Sequence, residues 1–186
     1  MVIEIKKIAR ELKIKLPDLI TRPAGKRMYE KVKELLRHAG EHEVAVLDFS
    51  GVKVLDASFV DELLIRLILD SREDEKSFFL KLTNVSDVTE LNIDTVLNSH
   101  HLYNNEKIAV VTDGITFRNS CYLGVLSPEQ RDILDYLRIN KSAGPEEIVS
   151  YISGNEENTI KEIEELYRMR MLRKSSGKAP VKYVSI

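Results

Sequence analysis

The stretch VAVLDFSGVKVLDASFVDELLIRLI, from Val44 to Ile68, constrains the fold of this chain more than any other. Val44 to Phe49 is an almost continuous apolar run, the pattern of a strand buried on both faces. Ser50-Gly51 is a turn signal. From Phe59 onward the apolar residues Phe59, Leu63, Ile65, Leu67 and Leu69 have the spacing of a helix with a wide apolar face. Two more strands follow, Ser77 to Val85 and Lys107 to Asp113. Between them Ser86 to His101 is predicted as a helix, with Ser86 as N-cap and Val88, Leu91 and Val96 as its apolar positions. Strand, helix, strand, helix, strand at this spacing predicts an α/β domain, with helices packed on a mainly parallel sheet.

Upstream, Thr21-Arg22-Pro23 starts a helix that runs to about His38, with Met28, Val32, Leu35 and Leu36 inward and Gly40 ending it. Its opening cations Arg22, Lys26 and Arg27 read as a solvated face. The first dozen residues fit a helix through Ile5, Ile8, Ala9 and Leu12, while Lys13 to Leu16 alternates like a strand. Gly114 to Leu126 mixes turn residues and aromatics, and fits an edge strand, a hairpin or a linker.

A second module begins at Ser127-Pro128-Glu129, where serine caps, proline takes the first helical position and an acid follows. Ile133, Leu134, Tyr136 and Leu137 form the inner face of that helix. Pro145 opens a short second helix within Ser142 to Ile152. Gly154 to Ser175 reads as a third, with Ile160, Ile163, Leu166, Tyr167 and Met171 at helical spacing, and Ser175 to Ile186 as a turn and a strand. Three helices and a terminal strand or hairpin outline a winged helix. The boundary falls near Gly124–Leu126, giving an α/β domain over 1–124 and a winged helix-turn-helix domain over 126–186. With 186 residues the chain is long enough for two small cores.

The residues of the Asp56-Ala57-Ser58 junction carry a family resemblance. VAVLDFSGVKVLDASFVDELL resembles the core of STAS domains, the fold of bacterial anti-sigma factor antagonists. It is more similar still to the STAS-like domains of unknown function that often accompany histidine-kinase-type ATPases. Asp48 ends the strand; Asp56, Ala57 and Ser58 match the aspartate and two small positions of that pattern; Phe59 stands where a glycine is expected. The resemblance spans roughly Pro17 to Asp113. It implies a mixed sheet with helices packed on it, and a protein partner, a kinase-like ATPase or another regulator, that docks on Asp56, Ala57, Ser58, Phe59, Asp61 and Glu62. It also implies that Ser58 is a phosphoacceptor. A serine at a helix N-terminus is a suitable place, since a phosphate there meets unpaired amides and the positive end of the helix dipole. The same residues have a second reading: Ser58 to Asp61 has the form of a capping box, with Ser58 only a cap.

The winged helix raises a DNA question. Residues that could read bases or grip phosphates are Asn155, Asn158, Thr159, Lys161, Arg168, Arg173, Lys174, Lys178 and Lys182. Acids crowd the first half of the third helix, at Glu156, Glu157, Glu162, Glu164 and Glu165, where DNA would bring phosphates. Dimerisation or protein contact is therefore the competing use, and a homodimer stays open.

Other chemistries find little support. The formal net charge of -2 gives no bulk attraction for nucleic acid or acidic membranes. Cys121 is the sole cysteine, so neither an intrachain disulfide nor a cysteine metal cluster can form. His38 and His42 have a metal spacing but flank Gly40 and lack a third ligand, and adjacent His100 and His101 point apart. Asp48 and Asp56 are a strand-end acid and a junction acid, with no nucleophile–base pair nearby. No signal peptide or membrane-length apolar run appears. The sequence therefore leads to the expectation of a cytoplasmic, non-enzymatic, two-domain regulator without cofactor or metal, which binds a protein partner and uses the winged helix as output. The alternative is a DNA-binding transcriptional regulator whose α/β domain senses a small ligand.

Overall fold

In the computed structural model, which describes residues 1–38, 40, 43–73, 78–116, 120–152, 154–175 and 181–186, the chain divides into two units, Met1–Val125 and Leu126–Ile186. The first unit runs β1 (Val2–Glu4), α1 (Ile5–Glu11), β2 (Asp18–Leu19), α2 (Arg22–Leu36), β3 (Val44–Asp48), β4 (Val54–Leu55) and α3 (Ala57–Val60). A π-helical turn (Asp61–Ile65) joins α3 to α4 (Arg66–Glu73); then come β5 (Phe79–Thr83), α5 (Asp87–Asn104), β6 (Ala109–Thr112) and β7 (Tyr122–Gly124). One mixed sheet has the order β1-β3-β5-β6-β7; β6 and β7 pair antiparallel and the other neighbours parallel. At the N-terminus the helical reading holds, with Ile5, Ile8 and Ala9 buried on α1, whereas residues 13–16 form no strand; the strand there is Val2–Glu4, which the sequence pattern did not mark. Of the readings of 114–126, both the edge strand and the hairpin hold: Tyr122–Gly124 lies at the sheet edge and pairs antiparallel with the preceding β6.

Other expectations also need correction. The strand after Val44 is not buried on both faces. Its register places Val2, Val46 and Lys81 side by side on one face and Ile3, Leu47 and Leu82 on the other. The second set is buried, whereas Val46 and Lys81 are half-buried and Val2 is exposed. On α5, Val88 and Leu91 are exposed, and the inward stripe is Thr89, Glu90, Ile93, Asp94 and Leu97. The reason is polar anchoring. Asn92 Nδ2 donates to Leu55 O at 2.9 Å, Ser86 Oγ donates to Lys53 O at 2.7 Å, and Asp94 Oδ1 accepts from Gly124 N at 2.9 Å. These bonds turn the polar side of the helix toward strand backbone that would otherwise lack partners.

The helix that leaves the junction is continuous from Ala57 to Glu73, and its π turn takes up one extra residue. Leu63, Leu64, Ile65, Leu67 and Ile68 all stay inward across it. α2 lies against this helix at Gly25, where an added Cβ would sit 3.0 Å from Glu62 Cβ and 3.1 Å from Phe59 Cα. Only a glycine allows the two backbones to come so close.

The second unit runs α6 (Pro128–Asn140), β8 (Ser142–Ala143), α7 (Pro145–Ile152), α8 (Glu156–Arg168), β9 (Leu172–Lys174) and β10 (Tyr183–Ser185). Its three strands form an antiparallel sheet in the order β8-β10-β9. Ser127 and Gln130 close a capping box at the start of α6. Ile133, Leu134, Leu137, Ile148, Ile163, Leu166 and Leu172 make the core. α8 is shorter than expected. Arg170 takes φ +61, a left-handed turn that ends the helical path, so Met171 enters the core from the turn. Among the described residues no helix is long and apolar enough to cross a membrane.

Candidate functional site

The junction is held from two sides. β4 pairs in parallel with β2, and Lys53 N donates to Pro17 O while Asp56 N donates to Leu19 O. On the other side lie the bonds from Ser86 and Asn92 of the α5 end to Lys53 O and Leu55 O. The residues before Ala57 are therefore a clamped strand, and the helix begins at a fixed point.

Asp56, not Ser58, caps that helix. Asp56 Oδ1 accepts from Phe59 N at 2.7 Å and from Ser58 Oγ at 2.9 Å; Asp56 Oδ2 accepts from Thr21 N at 3.2 Å. One carboxylate thus ties the helix start, the serine and the entry to α2 together. The capping box reading of Ser58 to Asp61 fails because Ser58 already lies inside the first helical turn, two residues past the cap. Asp56→Ala should cost about 1 kcal/mol in urea unfolding, the usual worth of an N-cap. Ser58→Ala should stay within about 0.5 kcal/mol, as substitutions away from such features do. The reverse order would restore Ser58 as the cap.

Of the six residues expected to face a partner, Ala57 is exposed and Asp56, Ser58 and Asp61 are half-buried. Phe59 and Glu62 do not face outward, being 0% and 5% exposed. Phe59 falls on the inner side of the first turn and joins the core. Glu62 is drawn into the seam between α2 and the helix, where Arg22 Nη1 lies 2.7 Å from its Oε1 and Arg66 Nη2 lies 2.9 Å from its Oε2. Arg22 also reaches Asp61 Oδ2 at 2.6 Å. Glu62 first, and Asp61 with it, raise the Arg22 guanidinium further above its already high range. The seam continues through Arg66, stacked 5.4 Å from the Tyr29 ring, to Tyr29 Oη, which donates to Asp70 at 2.8 Å. Lys33 bonds both Asp70 and Tyr29, which hold its ammonium well above the ordinary lysine range.

Arg22, Lys26 and Arg27 are all exposed, as a solvated face requires, but Arg22 is also ion-paired and Arg27 donates to Leu12 O at 3.1 Å. Sequence reasoning also missed Thr21, Tyr29 and Arg66. Seven-residue and four-residue spacings on two separate helices carry no mark of facing each other; only Pro23, which fixes the start of α2, hints at where Arg22 points.

Asp48 closes β3 with a small network of its own. Its Oδ1 accepts from Ser50 Oγ at 2.7 Å, Asn84 Nδ2 at 2.8 Å and Ser50 N at 2.9 Å. The Ser50 hydroxyl foremost, with Asn84 and the Ser50 amide adding to it, keeps the carboxyl below the usual aspartate range against the opposing effect of partial burial. A lowered pKa gives stability that is present above the unfolded value of about 4 and is lost as pH falls through the folded value. Asp48→Asn should therefore flatten the fall in melting temperature below about pH 4. An equally steep fall would show that other groups carry the acid sensitivity.

In the second unit the residues expected to read DNA are largely occupied. Asn155 caps α8, accepting from Asn158 N at 3.1 Å. Asn158 Nδ2 and Thr159 Oγ1 each donate to Glu129 at 2.7 Å. Thr159 is 0% exposed, so it cannot reach a base edge; Glu129 pulls its hydroxyl against α6. Lys161 pairs with Glu157 at 2.7 Å. Arg168, Lys174 and Lys182 are exposed and Arg173 is half-buried. Lys174 Nζ stands 4.2 Å from the Tyr167 ring centroid. Lys178 lies outside the described residues, as does His42 of the histidine pair.

Residues 24–90 match the model of a family described as STAS-like domain of unknown function (DUF4325). That span holds α2 from Ala24 onward, β3, β4, the Asp56-Ala57-Ser58 junction and β5. No curated protein and no solved structure shows significant similarity to the chain.

Proposed function

We propose that the chain is a regulatory binding protein whose STAS-like region docks a protein partner over the first turn of the Ala57–Glu73 helix, with phosphorylation of Ser58 as the switch. One observation carries this reading: the Ser58 hydroxyl, half-buried at a helix start, has the Asp56 carboxylate as its partner at 2.9 Å. A phosphate on that oxygen brings close to two negative charges against Asp56. The helix dipole accommodates that charge, but the carboxylate does not. Asp56 then loosens its hold on Phe59 N and Thr21 N, while the buried ring of Phe59 keeps the helix seated. The surface changes and the fold survives. Phe59 occupies the expected glycine position without crowding the serine, because its ring points into the core.

A kinase-like ATPase is the partner class that the resemblance implies. Incubation of the chain with ATP and a cognate ATPase of this type, followed by mass spectrometry, should place one phosphate on Ser58 within the peptide from Lys53 to Arg66. An unmodified peptide after complete incubation rules the switch out.

The second unit is, in this proposal, a winged helix that passes the signal on. Its three helices and the strand order β8-β10-β9 support that reading. Occupation of Asn158 and Thr159 by Glu129 favours a protein contact as the output. DNA binding as a second reading has the exposed Arg168, Lys174 and Lys182 in its favour. Under that reading, Lys174→Glu with Lys182→Glu weakens binding to duplex DNA and flattens its salt dependence; an unchanged slope excludes phosphate contacts from this corner.

A further inference from the structure

Within the first unit, the segment from Lys13 to Thr21 and the start of α2 enclose a half-open cleft of ≈ 330 Å³. Its wall is apolar at Ile14, Leu16, Pro17 and Ala24, with the exposed Ile20 at the edge. Its charged groups are Lys13, Lys15, Arg27 and a single acid, Asp18. Lys13 and Lys15 are exposed and have no ion-pair partner among the described residues. Arg27 uses Nη1 on Leu12 O and retains further N–H donors. The segment is fixed in place, because Pro17 O accepts from Lys53 N and the buried Leu19 lies in β2. An apolar hollow of this volume with a few convergent polar groups has the form of a small-molecule site.

We propose that this cleft binds a small organic anion, a carboxylate or phosphate monoester carrying a short apolar tail. Three cations against one acid select the charge, and the apolar wall selects the tail. The site is adjacent to the junction. Thr21 lines the cleft and donates its N–H to Asp56 Oδ2, so an occupant that moves Thr21 alters the support of the helix cap. Binding itself does not depend on Ser58 being modified.

The test uses the full, isotope-labelled chain without ATP or partner, titrated in turn with hexyl phosphate, hexylammonium and inorganic phosphate. Hexyl phosphate should shift the amides of Ile14, Ile20 and Ala24 and saturate near 1 mM, roughly the affinity open to so small a ligand. Hexylammonium should leave them in place. Lys13→Glu with Lys15→Glu should weaken hexyl phosphate by about tenfold or more at an unchanged melting temperature, since neither side chain supports the fold. No shift at these amides overturns the proposal. So does equal binding of hexylammonium, inorganic phosphate held as tightly as its hexyl ester, or full affinity in the double variant.

Discussion

Phe59→Ala should destabilise the first unit by about 3–5 kcal/mol, the cost of removing a buried aromatic ring. Phe59 is fully buried, and its N–H is one of the two backbone donors that Asp56 holds. Its ring is the anchor that fixes the first turn of the Ala57–Glu73 helix to the core. The measurement is urea unfolding: the midpoint should drop with little change in slope, since the same surface is exposed in the unfolded chain. Because Phe59 is interior, a variant that retains fold, such as Phe59→Leu, should keep Ser58 open to phosphorylation. Loss of modification in a folded Phe59→Leu chain would mean that the ring contributes to the surface after all.

Gly124→Ala should be comparably damaging, at about 3 kcal/mol or more. Gly124 has φ +100, and a Cβ there would lie 2.3 Å from Ile108 O and 3.0 Å from Ala109 Cα. Both obstacles are backbone, so no side chain can swing aside. The edge strand β7 would have to leave β6, and Asp94, 3% exposed, would lose the Gly124 amide that it accepts from. Amide exchange should show β7 losing protection before β3 and β5 do. Full protection of Tyr122 to Gly124 in the alanine variant would contradict this.

The α/β character, the long helices and the three strands β3, β5 and β6 were legible in the sequence because they rest on apolar periodicity and strong terminal signals. Ser86 and Ser127 cap the helices they were expected to cap, and Pro145 opens its helix. What escaped depends on pairs of distant residues. β2 and β4 are two residues each, too short for any period, and exist because Pro17 to Leu19 lies beside Lys53 to Asp56. Asp56 and Ser58 are both good capping residues two positions apart. Which of them caps is decided by β4, since its clamp makes Ala57 the first helical residue. The burial of Glu62 and Thr159 could not be read either. Each is an ordinary polar residue on a helix, drawn inward by Arg22 and Arg66 in one case and by Glu129 in the other. Val88 and Leu91 misled for the opposite reason, because polar anchors rather than apolar residues set the inner face of α5.

The most direct test of the junction as a charge-sensitive latch is amide hydrogen exchange on the full chain carrying phosphoserine at position 58, compared with the unmodified chain. The amides of Thr21 and Phe59, both held by Asp56, should exchange about tenfold faster, while those of Leu47 and Leu82 in the sheet keep their protection. Unchanged exchange at Thr21 and Phe59, or loss of protection through the sheet as well, would contradict a switch that acts on the surface and leaves the fold intact.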